Sequence, residues 1–555
     1  MRSVSFVRRK FDAMLGVATV SMAVNFVVML SGSVVAGNFL GKDALAGINV
    51  CTPVFAVASF LGAMISVGSG LVFSKAMGEF DERRAAAVWS QGALLAAAAG
   101  VCIFLVMTFG GGWYMDYSAV TGGILAEAVS FWRWQCVSMA LTPLLLLGMA
   151  MVYADGDNVV AMAAGGCYVV GTIGFSILFA SLSGHAGGIS GGTALSVAIV
   201  LAVLSLHFLR KNNHLRFVRR FSWRDLKATL VGSAPDSLIY LCWGLLVLVV
   251  NRFTVAFYGE DLLAVVALGV SVVQFSIVFD GVGEALIPLG GMYAGEKNDN
   301  AMRELANHSA LVAVGEGLLA GAVMFAFAPQ IAAVYGFRGE AAELFPVAVT
   351  VVRILAFGMP FMALLMMMNT HYLVVGHAKL AIWLTVLKDF LLPCVFVLLS
   401  GPARWVCMWV GIVVGYAVAA ACPLVYVLQV YKRPYFPWLV AKDKQAVNFS
   451  ISLDRGSLSA AGVRIADFLL SGGVGGRIVD RVTGTVEKHG LAALEANGSR
   501  SPCVEYFVSI VNAGSVRLVV RDDGVAVDAP SGTSSGNRSL NTLNCNRTEY
   551  RFQER

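Results

Sequence analysis

Two carboxylates four residues apart, Asp280 and Glu284, are the strongest candidates for chemistry in this chain. They lie in an apolar run that reads as a helix, and a spacing of four puts both on one face. Two close carboxylates can hold Na⁺ through oxygen ligands or share one proton. The alternative is structural: each pairs with an intramembrane arginine or reaches the interface. Their counterparts earlier in the chain, around Ala63 to Gly68, are apolar or small. Asp236, Glu316 and Asp389 also fall within or near apolar runs. A charge at bilayer depth costs roughly 2.5–3.5 kcal/mol on insertion scales, so each needs a partner or a role. Asp280, Glu284, Asp236 and Asp389 are therefore the ion-coupling candidates. Asp236 follows Pro235 near a helix start, where interface capping is an equal reading. Lys388 and Asp389 are adjacent, so they are predicted to point to different sides, Asp389 to another helix and Lys388 snorkelling.

The substrate-cavity candidates are Arg133, Arg353, Met366, Met367 and Pro360. The two arginines recur at a spacing of 220, which favours a structural role; contact with an anionic substrate is the sharper reading. Met362, Met366, Met367 and Met368 cluster near Pro360. Flexible thioethers suit a cavity that accepts several shapes, with plain packing as the alternative. Pro360 lacks an N–H and can permit a bend.

These residues need a membrane scaffold. The chain is 58% hydrophobic and 13% charged, with a mean hydropathy of +0.75, which no soluble domain of 555 residues is expected to show. The net charge of +6 lies in short loops, so no nucleic acid is expected as a partner. Ten cysteines lie mostly in apolar runs without CxxC spacing and read as packing residues. About twelve spans are predicted, near 14–37, 46–73, 88–112, 127–152, 158–182 and 188–209, then near 228–257, 262–290, 306–330, 345–371, 378–400 and 404–431. The fold class is an all-α polytopic membrane protein of two six-helix repeats with a small α+β domain.

The repeat is visible in the residues. Phe39-Leu40-Gly41-Lys42-Asp43-Ala44-Leu45-Ala46 recurs 218 residues later as Phe257-Tyr258-Gly259-Glu260-Asp261-Leu262-Leu263-Ala264, and Gly78-Glu79 recurs as Gly295-Glu296. Duplicated lobes around a central path are usual in secondary transporters. The predicted domains are 1–218, 219–436 and a tail, 437–555. Loop arginines and lysines gather on one side, at Arg8, Arg83, Arg216 and Lys432 among others, against Lys42, Arg338 and Arg404 opposite. The positive-inside rule then predicts a multi-pass protein of the plasma membrane with both termini cytoplasmic.

The stretches Gly37 to Ala46, Tyr153-Ala154-Asp155-Gly156-Asp157-Asn158 and Gly281-Val282-Gly283-Glu284-Ala285-Leu286-Ile287-Pro288 resemble those of the multidrug and toxic compound extrusion (MATE) transporters, in their order and spacing. The resemblance covers about residues 10–435. It implies two lobes around a cavity and export of organic, often cationic, compounds driven by Na⁺ or H⁺. It also marks departures. The acid such transporters often carry in the first helix is Gly32 here, and an Asn-Ile-x-Leu-Asp run in the fifth is Thr172-Ile173-Gly174-Phe175-Ser176. The first lobe thus lacks two carboxylates that would bind its coupling ion.

After Pro434-Tyr435-Phe436-Pro437 the chain turns polar. A strand is predicted over Asn448 to Leu453, helices over Ala461 to Leu470 and Gly475 to His489 with Gly490 as the stop, and a hairpin turning at Asn512-Ala513-Gly514. The tail is faintly similar to the ATPase-like fold of anti-sigma factors and histidine kinases, through Val486 to Gly490 and Arg521-Asp522-Asp523-Gly524. Where that family has a Glu and a Mg²⁺-holding Asn, this chain has Arg481 and Thr485, so no ATP or other cofactor is expected. The tail reads as a degenerate regulatory or protein-binding module.

Three functions follow as expectations: an antiporter exporting small organic compounds, a flippase for lipid-linked substrates, or a transport-deficient membrane sensor signalling through its tail to a regulatory protein. The chain shows no nucleophile, metal or phosphate motif, so no enzyme is expected.

Overall fold

The computed structural model describes residues 5–40, 42–78, 81–118, 122–155, 157–210, 213–258, 262–334, 337, 342–401, 404–498, 501–512, 514–525, 538–542 and 545–553. Each predicted span corresponds to a helix. In the first lobe these are Phe6–Val35, Lys42–Gly78, Glu82–Ser118, Gly122–Ala154, Asn158–Ser183 and Gly187–Ser205. In the second lobe the seventh is Trp223–Tyr258, and the eighth joins Leu263–Gln274 to Asp280–Glu296 through a 3₁₀ stretch, Phe275–Phe279. The ninth is Asp299–Ala326, and the tenth joins Phe345–Ala356 to Met359–Val374. The eleventh joins Ala378–Val386 to Leu392–Ser400 through a π turn, Leu387–Leu391, and the twelfth is Trp405–Val430. Among the described residues nine helices are long and apolar enough to cross a membrane, or eleven if two bent pairs each count as one. Apolar runs become helices because a backbone in hydrocarbon must satisfy its hydrogen bonds within the segment.

The breaks are local and have causes. The tenth span bends by 44° between Ala356 and Met359. Pro360 falls in the first turn after the break, where its missing N–H leaves no intrahelical bond unmade. The bend itself centres on Phe357 and Gly358, just before the proline.

The lobes meet where small residues let backbones touch. A Cβ added to Gly68 of the second span would lie 2.0 Å from the Thr229 carbonyl oxygen of the seventh. One added to Gly281 of the eighth would lie 2.7 Å from Thr19 Cα of the first. Arg84 at the start of the third span pairs with Asp225 at the start of the seventh at 2.7 Å. All these contacts lie in the half of the bundle that carries the tail. The first span is shared: its early residues Val7 and Phe11 pack into the second-lobe core.

The tail is a five-stranded antiparallel sheet, in the order β1-β2-β3-β5-β4, with two helices on one face. The strands are β1 Ala446–Ser452, β2 Cys503–Asn512, β3 Ser515–Asp522, β4 Arg538–Thr542 and β5 Cys545–Gln553. The expected strand and hairpin are β1 and β2–β3. The helices are Arg455–Ser471 and Gly476–Asn497. The second therefore runs through Gly490, where a stop was expected. A Cβ there would meet Leu458 Cδ1 at 2.4 Å, so this glycine serves close helix packing, not termination. Strands β4 and β5 are not among the elements predicted from sequence.

The connection to the tail is pinned to the bundle. Trp438, Leu439 and Val440 are buried in the second-lobe core. The Arg303 guanidinium donates to the carbonyls of Pro434, Phe436 and Val440.

Candidate functional site

Two acids of the second lobe, Asp280 and Asp389, sit at its irregular turns. Asp280 begins the α-helical part of the eighth span directly after the 3₁₀ stretch, and is half-buried. Glu284 follows one turn on and is exposed. The glycines between them press on neighbours, Gly281 on Thr19 and Gly283 on Thr370 of the tenth span. Glu284 is close enough to Tyr153, at the end of the fourth span, to act on it electrostatically. Tyr153 belongs to the first lobe.

A third acid completes this face. Glu316 of the ninth span accepts a hydrogen bond from Thr19 Oγ1 at 3.5 Å. Below it, Asp12 Oδ1 lies 2.7 Å from His308 Nε2, and Arg8 Nε lies 3.1 Å from Glu304 Oε1. Positions 8, 12 and 19 of one helix thus meet 304, 308 and 316 of the other, as two parallel helices in register must. Glu316 stood in the sequence only as one acid among several. Its signal was the repeat of acidic and basic partners at helical spacing along the first and ninth spans.

Asp389 lies elsewhere, inside the second lobe. Its Oδ2 accepts from Lys388 Nζ at 2.6 Å, and the same Nζ is 3.5 Å from Met366 Sδ. Lys388 is 2% exposed, so it does not snorkel. Neighbours in an ordinary helix diverge by about 100°. Both residues stand in the π turn, and the long lysine side chain folds back to reach its neighbour. The side chain of Asp236 lies outside the described residues.

The cavity candidates separate. Met366 and Met367 are buried in the second-lobe core, Met366 against Lys388. Pro360 packs against the ninth span, where a Cβ on Gly317 would lie 2.6 Å from its Cα. Arg353 stacks on Phe325, with its guanidinium 5.2 Å from the ring centre. Arg133 is exposed in a groove of about 1210 Å³ between the fourth, fifth and sixth spans, beside Trp134, Ser130 and His185. That groove opens on the face of the fourth span turned away from the second span, whose Gly47 abuts Glu127 and Ala128.

The first lobe is built from neutral donors where acids were missed. Thr172 Oγ1 donates to Ser196 Oγ at 3.2 Å, and Ser176 Oγ donates to the Ile189 carbonyl at 3.1 Å. Gly32 faces Ile189 at 3.9 Å. A cluster of its charged residues lies at the tail-side end. There Asp155 and Asp157 take the two ring nitrogens of His207 at 2.8 and 3.0 Å, and Asp155 also holds His214. Among the described residues no three His, Cys, Asp or Glu converge as a metal site. A carboxylate with a hydroxyl beside it, as at Glu316 and Thr19, suits a proton or part of a hard cation's oxygen shell.

The sequence profile of the MatE family matches residues 17–178 and 237–396, once in each lobe. The chain belongs to the MATE family. Solved MATE structures share the fold at low identity. An outward-facing multidrug resistance MATE transporter of the MOP superfamily is 20% identical, with 76% of this chain and 95% of that one covered and a TM-score of 0.69. A MOP superfamily transporter from Pyrococcus furiosus, described as having a binding pocket of reversed polarity, is 20% identical over 76% and 95% of the two chains, at 0.70. A MATE in complex with MaL6 is 20% identical over 76% and 96%, at 0.68. No curated protein matches the chain. The protein is thus a multi-pass MATE transporter. The profile stops at residue 396, before the tail begins.

Proposed function

We propose that this MATE protein exports small organic compounds, cationic or amphipathic, by antiport with Na⁺ or H⁺, and that Asp280, Glu284 and Glu316 carry the coupling ion. One observation carries the reading: Glu316 of the second lobe accepts from Thr19 of the first span, on which Gly281, next to Asp280, also packs, whereas the fifth span of the first lobe holds the hydroxyls Thr172 and Ser176. In the described state Glu316 accepts from Thr19. When the seam opens, the carboxyl loses that donor and meets water, so a proton or Na⁺ on it favours one state over the other. A ligand shifts such an equilibrium by its differential affinity for the two states. The protein lies in the plasma membrane with both termini and the tail in the cytoplasm, as the loop charges indicate. The seam in the tail-bearing half is then the cytoplasmic one, and the described state is closed to the cytoplasm.

The test is efflux of fluorescent cations from vesicles under separately imposed sodium and proton gradients. Neutralising Asp280 and Glu284 together should abolish the response to the coupling gradient; an unchanged response removes the pair. The docked tail favours a second role, regulation or sensing. Removing residues 446–555 separates the two, since a transporter still moves substrate and a sensor loses its output.

A further inference from the structure

Strand alternation gives the tail sheet two unlike faces. Val504, Tyr506 and Val508 of β2, with Val516, Leu518 and Val520 of β3, pack on the two tail helices. The opposite face carries Glu505, Arg521, Arg547 and Glu549. The same face also holds Cys503, Phe507, Val519 and Cys545, and none of its centre is left to water: Glu505 and Arg521 are each 0% exposed. The membrane bundle buries them.

The first contact is the end of the eighth span. Glu296, its last residue, pairs with Arg521 and lies 2.6 Å from Arg547 Nε. Tyr293, one turn earlier, donates to Glu505 Oε2 at 3.2 Å, and its ring lies 5.0 Å from the Arg521 guanidinium carbon. Arg521 Nη1 donates to Glu505 at 2.7 Å. Arg517 donates to the Glu296 carbonyl at 2.8 Å, and Asn298 donates to Asn448, which donates to Glu505. Buried charges are costly unless paired, and here ion pairs at Glu296 together with the hydrogen bonds of Tyr293, Arg517 and Asn298 join both partners.

The second contact is the start of the first span. Phe6 is buried between Cys503 and Cys545 of the same sheet face. Its N–H donates to Ser450 Oγ at 3.0 Å, and Arg9 lies 3.3 Å from Asp523. The first span leads into the first lobe, and the eighth belongs to the second.

We infer that the charged face of the tail sheet is a docking surface for two segments of this same chain, the start of the first span and the end of the eighth, and that by holding both it clamps the lobes closed on the tail side. The inference rests on the alternating-access reading. In that reading, opening that side draws the start of the first span, packed in the second-lobe core through Val7 and Phe11, off the eighth and ninth spans, and a tail bound to both segments opposes it. The tail is then an autoinhibitory element of the transport cycle. A factor that releases Phe6 and Arg9 frees the seam and leaves the Glu296–Arg521 network intact.

The test uses the full chain in nanodiscs, with a spin-label pair at the exposed residues Arg83 and Lys227, on either side of the seam. Cys503 and Cys545 belong to the interface, so the labels enter through non-canonical amino acids. The double variant Phe6→Ala, Arg9→Ala leaves the tail's own sequence untouched; deletion of residues 446–555 is the second probe. Each should raise the ratio of long to short distances by about fivefold or more, the lower end of usual coupling between linked sites. A wild-type distribution in both variants overturns the clamp. If the wild-type distance also fails to respond to imposed gradients and substrate, alternating access itself fails; if it responds while the variants match it, only the clamp fails.

Discussion

Glu316 of the ninth span accepts its hydrogen bond from Thr19 of the first span, 3.5 Å away across the seam between the lobes. A helix that begins in one lobe's core and ends in the other thus reports to an intramembrane acid whether the lobes touch. Glu316→Gln keeps the shape and an acceptor but cannot bind or release the proton. It should reduce gradient-driven efflux to background while leaving the protein folded. Thr19→Val removes the donor alone and should lower efflux about three- to tenfold, as for the loss of one ordinary hydrogen bond of roughly 1 kcal/mol. Vesicle efflux rates measure both.

The buried pair in the eleventh span gives a stability prediction. Lys388→Met strands Asp389 in the second-lobe core and should destabilise the protein by about 3–5 kcal/mol, as for breaking other buried pairs. The double variant Lys388→Met, Asp389→Asn should recover most of that loss. Thermal unfolding in detergent measures it, and equal losses in single and double variants would mean that the pair contributes nothing.

The closed seam depends on a missing side chain. An added methyl at Gly68 overlaps the Thr229 carbonyl, and both backbones would have to part. Gly68→Ala should lengthen the Arg83–Lys227 distance without loss of helix content. Distance measurement and circular dichroism check the two halves of that statement.

The tail carries its own pH response. His489 is buried against the Tyr550 hydroxyl at 2.9 Å, and burial pushes its imidazole down to about 4 from an ordinary 6.5. A group with a lowered folded-state value contributes its full stability above 6.5, and that stability is lost as pH falls from 6.5 toward 4. The loss is about 3 kcal/mol at one unit per 1.4 kcal/mol. His489→Gln should flatten this slope. Hydrogen exchange of β2 and β3 in the full chain, followed from pH 7 to pH 4, reads it.

Much of the architecture was legible because hydrocarbon enforces it. Each of the twelve apolar runs had to be helical, and the repeat of Gly78-Glu79 as Gly295-Glu296 already paired the halves. The same glutamate shows where reading by type runs out. Glu296 appeared as a repeat marker; the structure makes it the bundle's hold on Arg521, across more than two hundred residues. No local pattern encodes such a contact. Lys388 and Asp389 were misread for a related reason. Adjacent residues diverge in an α-helix, but the four-carbon lysine stem is long enough to fold back onto its neighbour inside the apolar core. Gly490 looked like a stop because its role, clearance for Leu458, lies on another helix. The acidic face of the eighth span was readable from spacing, but its third member needed the packing of the first span against the ninth.

The most direct measurement of the central claim is efflux from vesicles under a sodium or a proton gradient alone, comparing the wild type with the triple variant Asp280→Asn, Glu284→Gln, Glu316→Gln. The account expects one gradient to drive the wild type and neither to drive the variant, with substrate still bound. Gradient-driven efflux by the triple variant at the wild-type rate would contradict it.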